Sequence, residues 1–259
     1  MRHALYLPPF GELADVRALA EIAATAEAAG WDGLFVWDHL LRAEPGAEDV
    51  ADTTVALAAV ALATERALRS DGHPICGGDR RSWREIITLD HLSGGRLVGF
   101  GLGVDTAREL SAFGEVTDAR IRAQMLDEGA AVLDALVAAV RSTTSDRTTS
   151  PRGSRSSRGP VQRPRPPFWF AGGGGTPPVA RRLATTACSP SSSPPTSSPT
   201  TSTSSRDPGS LDGFDVEVTA HGNDLAAFAA AGVTWAMWDY PPGVALAEVL
   251  ADARRGPRV

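Results

Sequence analysis

Residues 89–96, Leu-Asp-His-Leu-Ser-Gly-Gly-Arg, and the apolar run at 97–103 that follows them are the part of this chain that most constrains its fold. The octet is typical of a helix end, because a Gly-Gly pair offers positive φ angles without steric cost. The run Leu-Val-Gly-Phe-Gly-Leu-Gly is typical of a parallel strand that is buried on both faces. Together they predict one helix–strand junction of an α/β barrel, with the glycine-rich strand end open to a ligand.

Strand-like and helix-like segments alternate along much of the chain, which predicts parallel strands joined by helical crossovers. A barrel of eight such units needs about 250 residues, so we expect residues 1–259 to form a single domain. The predicted strands are 3–7, 33–37, 97–102, 168–171, 214–218 and 233–238, and the predicted helices are 13–29, 53–64, 83–92, 119–140, 224–231 and 244–254.

Three windows do not fit the barrel pattern. A strand is due after the helix at 53–64, but Arg-Ser-Asp-Gly-His-Pro at 69–74 is too polar for one, so we expect the barrel to be incomplete or distorted there. Residues 141–160 are rich in Ser, Thr and Arg, and residues 188–210 are almost entirely Ser, Thr and Pro. Such compositions cannot bury a core, so we expect both segments to be disordered.

Composition excludes several classes of protein. The net charge of −6 argues against a nucleic-acid partner. No run approaches the roughly 18 apolar residues of a membrane span, and the chain begins with a strand rather than a signal peptide, so we expect a cytoplasmic protein without a membrane partner. Cys76 and Cys188 have no metal-ligand spacing around them, so no metal site is expected.

The segment at 89–97, set before a strand that ends in Gly-x-Gly, resembles the luciferase-like monooxygenase family of flavin- or deazaflavin-dependent oxidoreductases. The resemblance covers 1–66, 82–140 and 160–184 well and 211–259 loosely. It implies a TIM barrel of luciferase-like type that binds FMN or the deazaflavin coenzyme F420. The implied reaction is hydride or two-electron transfer between the reduced cofactor and a small organic substrate, with or without oxygen.

Two of the unusual windows contain family-like sequence in a shifted frame. With common codons, residues 70–74 read one base later give Pro-Met-Val-Thr, which resembles the family's third strand. Residues 185–190 read two bases later give Asp-Gly-Val-Phe-Pro, which resembles the segment after the fifth strand. All 25 basic residues are arginine, a bias that fits the GC-ending codons this requires. We therefore hypothesise frame-disrupted segments, and a natural disordered insertion is the alternative.

Trp37, Asp38 and His39 come at the end of the second predicted strand, which is the catalytic face of a barrel. A histidine there exchanges protons near neutral pH, and Asp38 is suited to fix its tautomer or position. The resemblance implies that an Asp-His pair at this strand end lies close to the reactive ring of a deazaflavin. The alternative is a helix-capping aspartate beside a partly exposed histidine.

Two glycine-rich strand ends are the remaining candidates for cofactor binding. Gly101 and Gly103 let a ligand approach the backbone closely, although strand packing alone also explains them. Ala171, Gly172, Gly173 and Gly174 precede a predicted helix start, whose N–H groups suit a phosphate. The resemblance implies that this loop holds the cofactor phosphate. Many relatives of this size carry Gly-Arg-Trp-Pro where this chain has four glycines, so a phosphate contact from that arginine is not predicted for this chain.

The residues therefore predict a flavin- or deazaflavin-dependent oxidoreductase that acts on a small molecule, and they leave a homodimer open. One alternative is a catalytically inactive remnant of such a barrel that binds no cofactor. A second alternative is a Ser/Pro-linked two-domain adaptor, in which residues 1–140 fold alone.

Overall fold

A computed structural model describes residues 1–39, 49–71, 80–102, 111–118, 120–122, 124–125, 127–132, 135, 159–171, 187–189 and 215–257. The strands are β1 (Arg2–Leu7), β2 (Gly33–Trp37), β3 (Ala67–Asp71), β4 (Leu97–Leu102), β5 (Phe168–Ala171), β6 (Ala187–Ser189), β7 (Glu217–Thr219) and β8 (Trp235–Asp239). The helices are α1 (Val16–Ala28), α2 (Thr53–Ala63), α3 (Arg80–Leu92), α4 (the described residues between 120 and 135), α5 (Leu225–Ala230) and α6 (Leu246–Arg255), and a 3₁₀ turn spans Gly11–Ala14.

The eight strands form one sheet in the order β6-β5-β4-β3-β2-β1-β8-β7, and each of the pairings is parallel. This is the circular strand order of a TIM barrel, opened between β6 and β7. Cα atoms of β6 and β7 approach within 8 Å, although no ladder joins them. The predicted α/β barrel is therefore confirmed, and the described strands leave it open between β6 and β7.

The first and last strands are neighbours in this sheet. β1 pairs with β8 from Arg2↔Trp235 to Tyr6↔Asp239. On the outside, the indole Nε1 of Trp31 donates to the carbonyl oxygen of Ala253 in α6 at 3.1 Å. The N-terminal and C-terminal strands therefore belong to the same sheet.

The prediction that residues 69–74 are too polar for a strand was wrong for residues 69–71, which belong to β3. Residues Ala67–Asp71 pair in parallel with β2 from Gly33↔Ala67 to Trp37↔Asp71, and Leu68 pairs with Leu97 of β4. The strand begins two residues before the polar window. Neighbouring strands on both sides supply its backbone hydrogen bonds, and this tertiary context outweighs the low strand propensity of Ser and Asp.

Side chains from alternate positions fill the inside and the outside of the sheet. Ala4, Phe35, Trp169, Trp235 and Met237 form an interior cluster, in which the rings of Phe35 and Trp235 lie 5.0 Å apart. The other face packs against α1, α2, α3 and α6 in a larger aliphatic core. Burial of both faces explains why these strands read as continuous apolar runs.

The octet at 89–96 forms a helix end and a tight turn, as predicted. α3 ends at Leu92, and Gly94 and Gly95 follow with φ angles of 63° and 86°. The Gly95 N–H donates to the carbonyl oxygen of Asp90 at 2.9 Å. Both glycines therefore adopt the left-handed conformation that closes a helix at little cost.

The buried carboxylate of Asp90 ties this turn to the segment before β5. Its Oδ2 accepts the backbone N–H of Val161 at 2.6 Å and that of Gln162 at 3.2 Å. Its Oδ1 accepts the side-chain amide of Gln162 at 2.9 Å, and that amide also donates to the carbonyl oxygen of Leu97 at 2.7 Å. One carboxylate thus positions the chain that enters β5 beside β4.

Arg96 performs the same task for the preceding unit. Its guanidinium donates to the carbonyl oxygen of Ala61 at 2.7 Å, of Arg66 at 3.0 Å and of Ser93 at 2.6 Å. The fork geometry of arginine allows these simultaneous contacts. The octet therefore joins α2, β3, α3 and β5, and its contacts are structural rather than catalytic.

The predicted domain boundaries are not tested by these observations. Within 141–160 and 188–210, the described residues are 159–160 and 188–189, and the latter pair belongs to β6. A single domain and disorder of these two segments stay predictions.

Candidate cofactor site

An aromatic cluster lies at the C-terminal ends of β1 and β2, at the mouth of the barrel. The ring centroid of Trp37 is 5.6 Å from that of Tyr6, 5.7 Å from that of His39 and 6.2 Å from that of Phe10. Phe10 and His39 are 5.7 Å apart. We call Tyr6, Phe10, Trp37 and His39 the mouth cluster.

Strand alternation explains why these rings meet. Ala4 and Phe35 belong to the interior cluster, so Tyr6 and Trp37, two residues further along each strand, point to the same side. Phe10 is held nearby by an antiparallel bridge to Val50 and is 3 % exposed. His39 follows Trp37 by two residues and is partly buried.

The structure gives Asp38 a contact with the start of α2. The hydroxyl of Thr53, the first residue of that helix, lies 3.1 Å from Asp38 Oδ1 and 2.9 Å from the carbonyl oxygen of Trp37. The cap of α2 is a different residue, Asp52, whose carboxylate accepts the Val55 N–H at 2.9 Å. Asp38 is therefore anchored beside the mouth and is not the helix cap, while its action on His39 stays a prediction.

The predicted glycine site is described in part. Gly101 in β4 is the register neighbour of Trp169, whose ring belongs to the interior cluster. Register neighbours of parallel strands share a face, so Gly101 leaves the interior free of a side chain at this point. Ala171 is the last residue of β5 and lies at the same edge of the sheet. Gly103 and Gly172–Gly174 fall outside the described residues.

A shift in register brings Gly101 to the interior. Leu68 pairs with Leu97, but the next residue, Arg69, pairs with Gly99, so β4 carries one extra residue. Such a bulge changes which residues face inward. Gly101, the register neighbour of Trp169, therefore lies on the interior side of β4.

Two buried polar atoms at the mouth have no hydrogen-bond partner among the described residues. They are the indole Nε1 of Trp37 and Oδ1 of Asp239, the last residue of β8. Trp235 and Met237 lie in the interior cluster, so alternation places Asp239 on the same face. A buried polar group without a partner costs about 1–3 kcal/mol, which a ligand with a matching acceptor and donor offsets.

These features test whether a flavin-type ring fits the mouth. Such a ring is planar and carries both carbonyl acceptors and an N–H donor, which match aromatic walls and the two orphaned atoms. In the described part of the chain, no group of three or more metal-ligating side chains occurs. The residues present therefore fit an organic ring system.

Sequence reasoning missed Tyr6, Phe10, Thr53 and Asp239. Alternation along β1 and β8 contains a usable signal for Tyr6 and Asp239, because each ends an interior-facing series. No local pattern marks Thr53 or Phe10, whose contacts depend on how the loop after β2 returns.

The family model for luciferase-like monooxygenases matches residues 4–191. The chain belongs to this family. This match confirms the resemblance of the octet at 89–96 and the strand after it. No protein of curated function matches the chain.

Solved structures of other luciferase-like proteins share the fold. The coenzyme F420-dependent tetrahydromethanopterin reductase of Methanopyrus kandleri has a TM-score of 0.67 and 13% identity, covering 98% of this chain and 98% of that chain. Monooxygenase RslO1 of Streptomyces bottropensis has a TM-score of 0.54 and 21% identity, covering 92% and 70%. The oxygenating constituent of 3,6-diketocamphane monooxygenase of Pseudomonas putida, in complex with FMN, has a TM-score of 0.53 and 14% identity, covering 74% and 58%.

Among the described helices of this luciferase-like chain, none is both long enough and apolar enough to cross a bilayer.

Proposed function

We propose that this luciferase-like chain is a flavin- or deazaflavin-dependent oxidoreductase that acts on a small organic substrate in the cytoplasm. The observation that carries the proposal is the mouth cluster at the C-terminal edge of a parallel sheet, where the buried Nε1 of Trp37 and Oδ1 of Asp239, the register neighbour of Tyr6, have no hydrogen-bond partner among the described residues. Ligands of α/β barrels bind at this edge. FMN and F420 are the two candidate cofactors, and both contain such a ring.

The fold neighbours support this cofactor class. The Methanopyrus protein is named as coenzyme F420-dependent, and the Pseudomonas protein was solved in complex with FMN. Another neighbour, at a TM-score of 0.51, is an F420-dependent secondary alcohol dehydrogenase in complex with an F420-acetone adduct. We therefore keep both cofactors as candidates for this chain.

Each site residue receives a role in the proposal. Trp37 meets the polar edge of the ring with its indole N–H, and Gly101 lets the ring approach the sheet. His39 gives or takes a proton at the substrate, and Asp38 holds the strand end against Thr53. Gly103 and the segment Ala171–Gly174 bind the polar tail of the cofactor. The cofactor, when bound, supplies the two-electron chemistry.

Titration of the full chain with FMN and with F420 tests the proposal. Binding of one of them is expected to change the fluorescence of the cofactor in a saturable way. A Trp37→Ala variant is expected to bind roughly tenfold or more weakly, because it loses the indole contact area together with an N–H donor whose hydrogen bond contributes about 0.5–1.5 kcal/mol. Phe113→Ala, which removes an exposed ring outside the mouth cluster, serves as the matched control.

The opposite outcome of this titration favours the alternative, an inactive remnant of the barrel. If neither cofactor binds to folded protein, the remnant interpretation is correct. If Trp37→Ala and Phe113→Ala bind equally well, the cofactor lies elsewhere.

We also propose a homodimer through α2 and α3. Both faces of α2 are apolar: Leu57 is fully buried, while Val55 and Leu62 are 57% and 75% exposed. A groove of about 450 Å³ lies between the two helices and includes Leu92, which is 41% exposed. A helix that is apolar on all sides is stable when its exposed apolar side is also covered, and a second copy of the chain would cover it.

Sedimentation of the purified chain tests the homodimer. We expect the parent chain to sediment as a dimer and the Leu62→Glu variant as a monomer, whereas a monomeric parent chain would contradict the proposal.

A further inference from the structure

We propose that Asp239 accepts a hydrogen bond from the N3–H group on the pyrimidine edge of the flavin or deazaflavin ring, beside Trp37, which donates to a neighbouring carbonyl of the same edge. The inference rests on the proposed function. It identifies which part of the cofactor meets β8 and β2, which nothing in the family match or the fold neighbours assigns.

The first step of the argument is the position of Asp239. β8 places Trp235 and Met237 in the interior cluster, and Asp239 ends the strand two residues later. Its register neighbour on β1 is Tyr6, a member of the mouth cluster. Asp239 therefore lies at the C-terminal end of β8, on the interior side and beside the strand that carries Tyr6.

The second step is the chemistry of the two orphaned atoms. Asp239 Oδ1 is buried and lacks a donor among the described residues, and Trp37 Nε1 is buried and lacks an acceptor there. An ionised carboxylate only accepts hydrogen bonds, and an indole N–H only donates them. The matching ligand edge must therefore present one N–H donor and one acceptor together.

The third step is the spacing of the pair. Trp37 and Asp239 belong to β2 and β8, which flank β1 on its two sides. Adjacent strands are about 4.8 Å apart, so the two backbones are separated by roughly 10 Å before their side chains converge. A planar imide edge, which carries a carbonyl, an N–H and a second carbonyl in a row, fits between them.

The fourth step separates this pair from other buried polar groups of the interior. Trp235 Nε1 is also orphaned, but the guanidinium of Arg2 covers that ring at 4.2 Å from its centroid, at the opposite end of the barrel. Arg2 also pairs with Asp215 there. Trp37 and Asp239, by contrast, lie at the C-terminal ends of β2 and β8, at the mouth.

The test compares each cofactor with its N3-methyl derivative, which lacks the N–H. The probes are FMN with 3-methyl-FMN and F420 with 3-methyl-F420, titrated against the full chain. For the pair that binds, we expect methylation to weaken binding roughly 10- to 100-fold, since a hydrogen bond to a charged group contributes about 1.5–3 kcal/mol.

The Asp239→Leu variant separates the hydrogen bond from a steric effect. Leucine occupies a similar space but accepts no hydrogen bond, so the difference between cofactor and methyl derivative is expected to fall to about twofold or less. Asp252→Leu, which replaces a carboxylate on the outer helix α6, is expected to keep the full difference. If Asp239→Leu does not fold, Asp239→Asn replaces it, and the difference should shrink because the acceptor becomes neutral.

Trp37→Phe provides a second test. It removes the indole N–H donor and keeps an aromatic ring, so it is expected to weaken the binding of the cofactor and of its methyl derivative by the same factor.

Three outcomes overturn the proposal. Equal affinity of the parent chain for a cofactor and its methyl derivative contradicts the inference and leaves the proposed function standing. An undiminished difference in Asp239→Leu assigns the effect to steric fit and also contradicts it. If neither FMN nor F420 binds to the parent chain, the proposed function and the inference fail together.

Discussion

His39 lies at the edge of the mouth cluster, with its ring 5.7 Å from Trp37 and 5.7 Å from Phe10. The two aromatic contacts hold the imidazole where a bound ring and its substrate would meet. Asp38, the residue before it, is anchored to Thr53 at 3.1 Å, which fixes the end of β2. At this scale, the proposed chemistry depends on a single side chain that exchanges protons.

The first prediction concerns His39→Ala. Turnover is expected to fall roughly 10²- to 10⁴-fold, the usual contribution of a general acid or base, while cofactor affinity changes little. Steady-state kinetics and a cofactor titration on the same preparation measure both quantities. An unchanged rate would assign His39 to structure.

A second histidine has a structural role that predicts a pH dependence. His3 is 8% exposed, and its Nδ1 accepts the Trp238 indole N–H at 3.3 Å. Burial lowers the pKa of His3; the nearby Asp32 carboxylate opposes this shift, and the N-terminal ammonium adds to it. The folded protein therefore favours the neutral ring, which also keeps Nδ1 free to accept.

The sign of the effect follows from proton uptake. As the pH is lowered, His3 takes up a proton near pH 6.5 in the unfolded chain, and only at a lower pH in the folded chain. The contribution of the neutral His3 to the free energy of unfolding is therefore complete above about pH 6.5 and is lost as the pH falls below it. Unfolding free energies measured by urea denaturation should therefore fall less steeply between pH 7 and 5 in His3→Asn than in the parent chain. Identical slopes would contradict this account.

At the scale of elements, the junction at 89–96 shows why a short motif is informative about the fold. Asp90 satisfies two backbone N–H groups before β5, and Arg96 satisfies carbonyl oxygens at the end of α2 and the start of β3. These contacts join segments that are distant in sequence. The motif therefore identifies the family through structure, although none of its residues belongs to the mouth cluster.

Asp90 gives a prediction at this scale. Asp90→Ala leaves the N–H groups of Val161 and Gln162 without their acceptor, so the free energy of unfolding is expected to fall by about 2–4 kcal/mol. Asp90→Asn retains one acceptor oxygen, so its free energy of unfolding is expected to fall by less. Chemical denaturation of both variants measures the difference. Equal stability of Asp90→Ala and the parent chain would mean that this contact does not hold the entry to β5.

The strands that are buried on both faces were the ones that the sequence predicted well. β1, β2 and β4 were predicted within one residue of their bounds, because apolar runs mark strands buried on both faces. β3 was missed, since its pairing with β2 and β4 is a tertiary effect that no local pattern contains. In the site, Trp37 to His39 were predicted from their place after a strand, whereas Asp239 required knowledge that β8 and β1 are neighbours.

At the scale of the whole molecule, β3 is the central strand with the most polar sequence. Its last three residues are Arg69, Ser70 and Asp71. The net free energy of unfolding of a domain is about 5–15 kcal/mol, so the energetic cost of one poorly suited strand is a large fraction of it. We therefore predict that the chain is marginally stable and binds its cofactor weakly.

The corresponding variant combines Asp71→Met, Gly72→Val and His73→Thr, which introduces the apolar part of the family-like strand. Ser70 is kept, because a proline there would remove a backbone donor from a strand that is paired on both sides. The melting temperature is expected to rise by roughly 3–10 °C, and cofactor affinity is expected to increase. Thermal denaturation and cofactor titration of both chains test this. Equal melting temperatures and equal affinities would show that the hypothesis of frame disruption is wrong and that the unusual windows are tolerated insertions.

The central claim is that a flavin-type ring binds at the mouth of this barrel, and a crystal structure of the chain grown with saturating FMN or F420 tests it most directly. We predict that the ring lies in van der Waals contact, at about 3.5–4 Å, with Trp37 and His39 and that its pyrimidine edge faces Asp239. A mouth without cofactor at saturation, or a ring bound outside the mouth cluster, would contradict the claim.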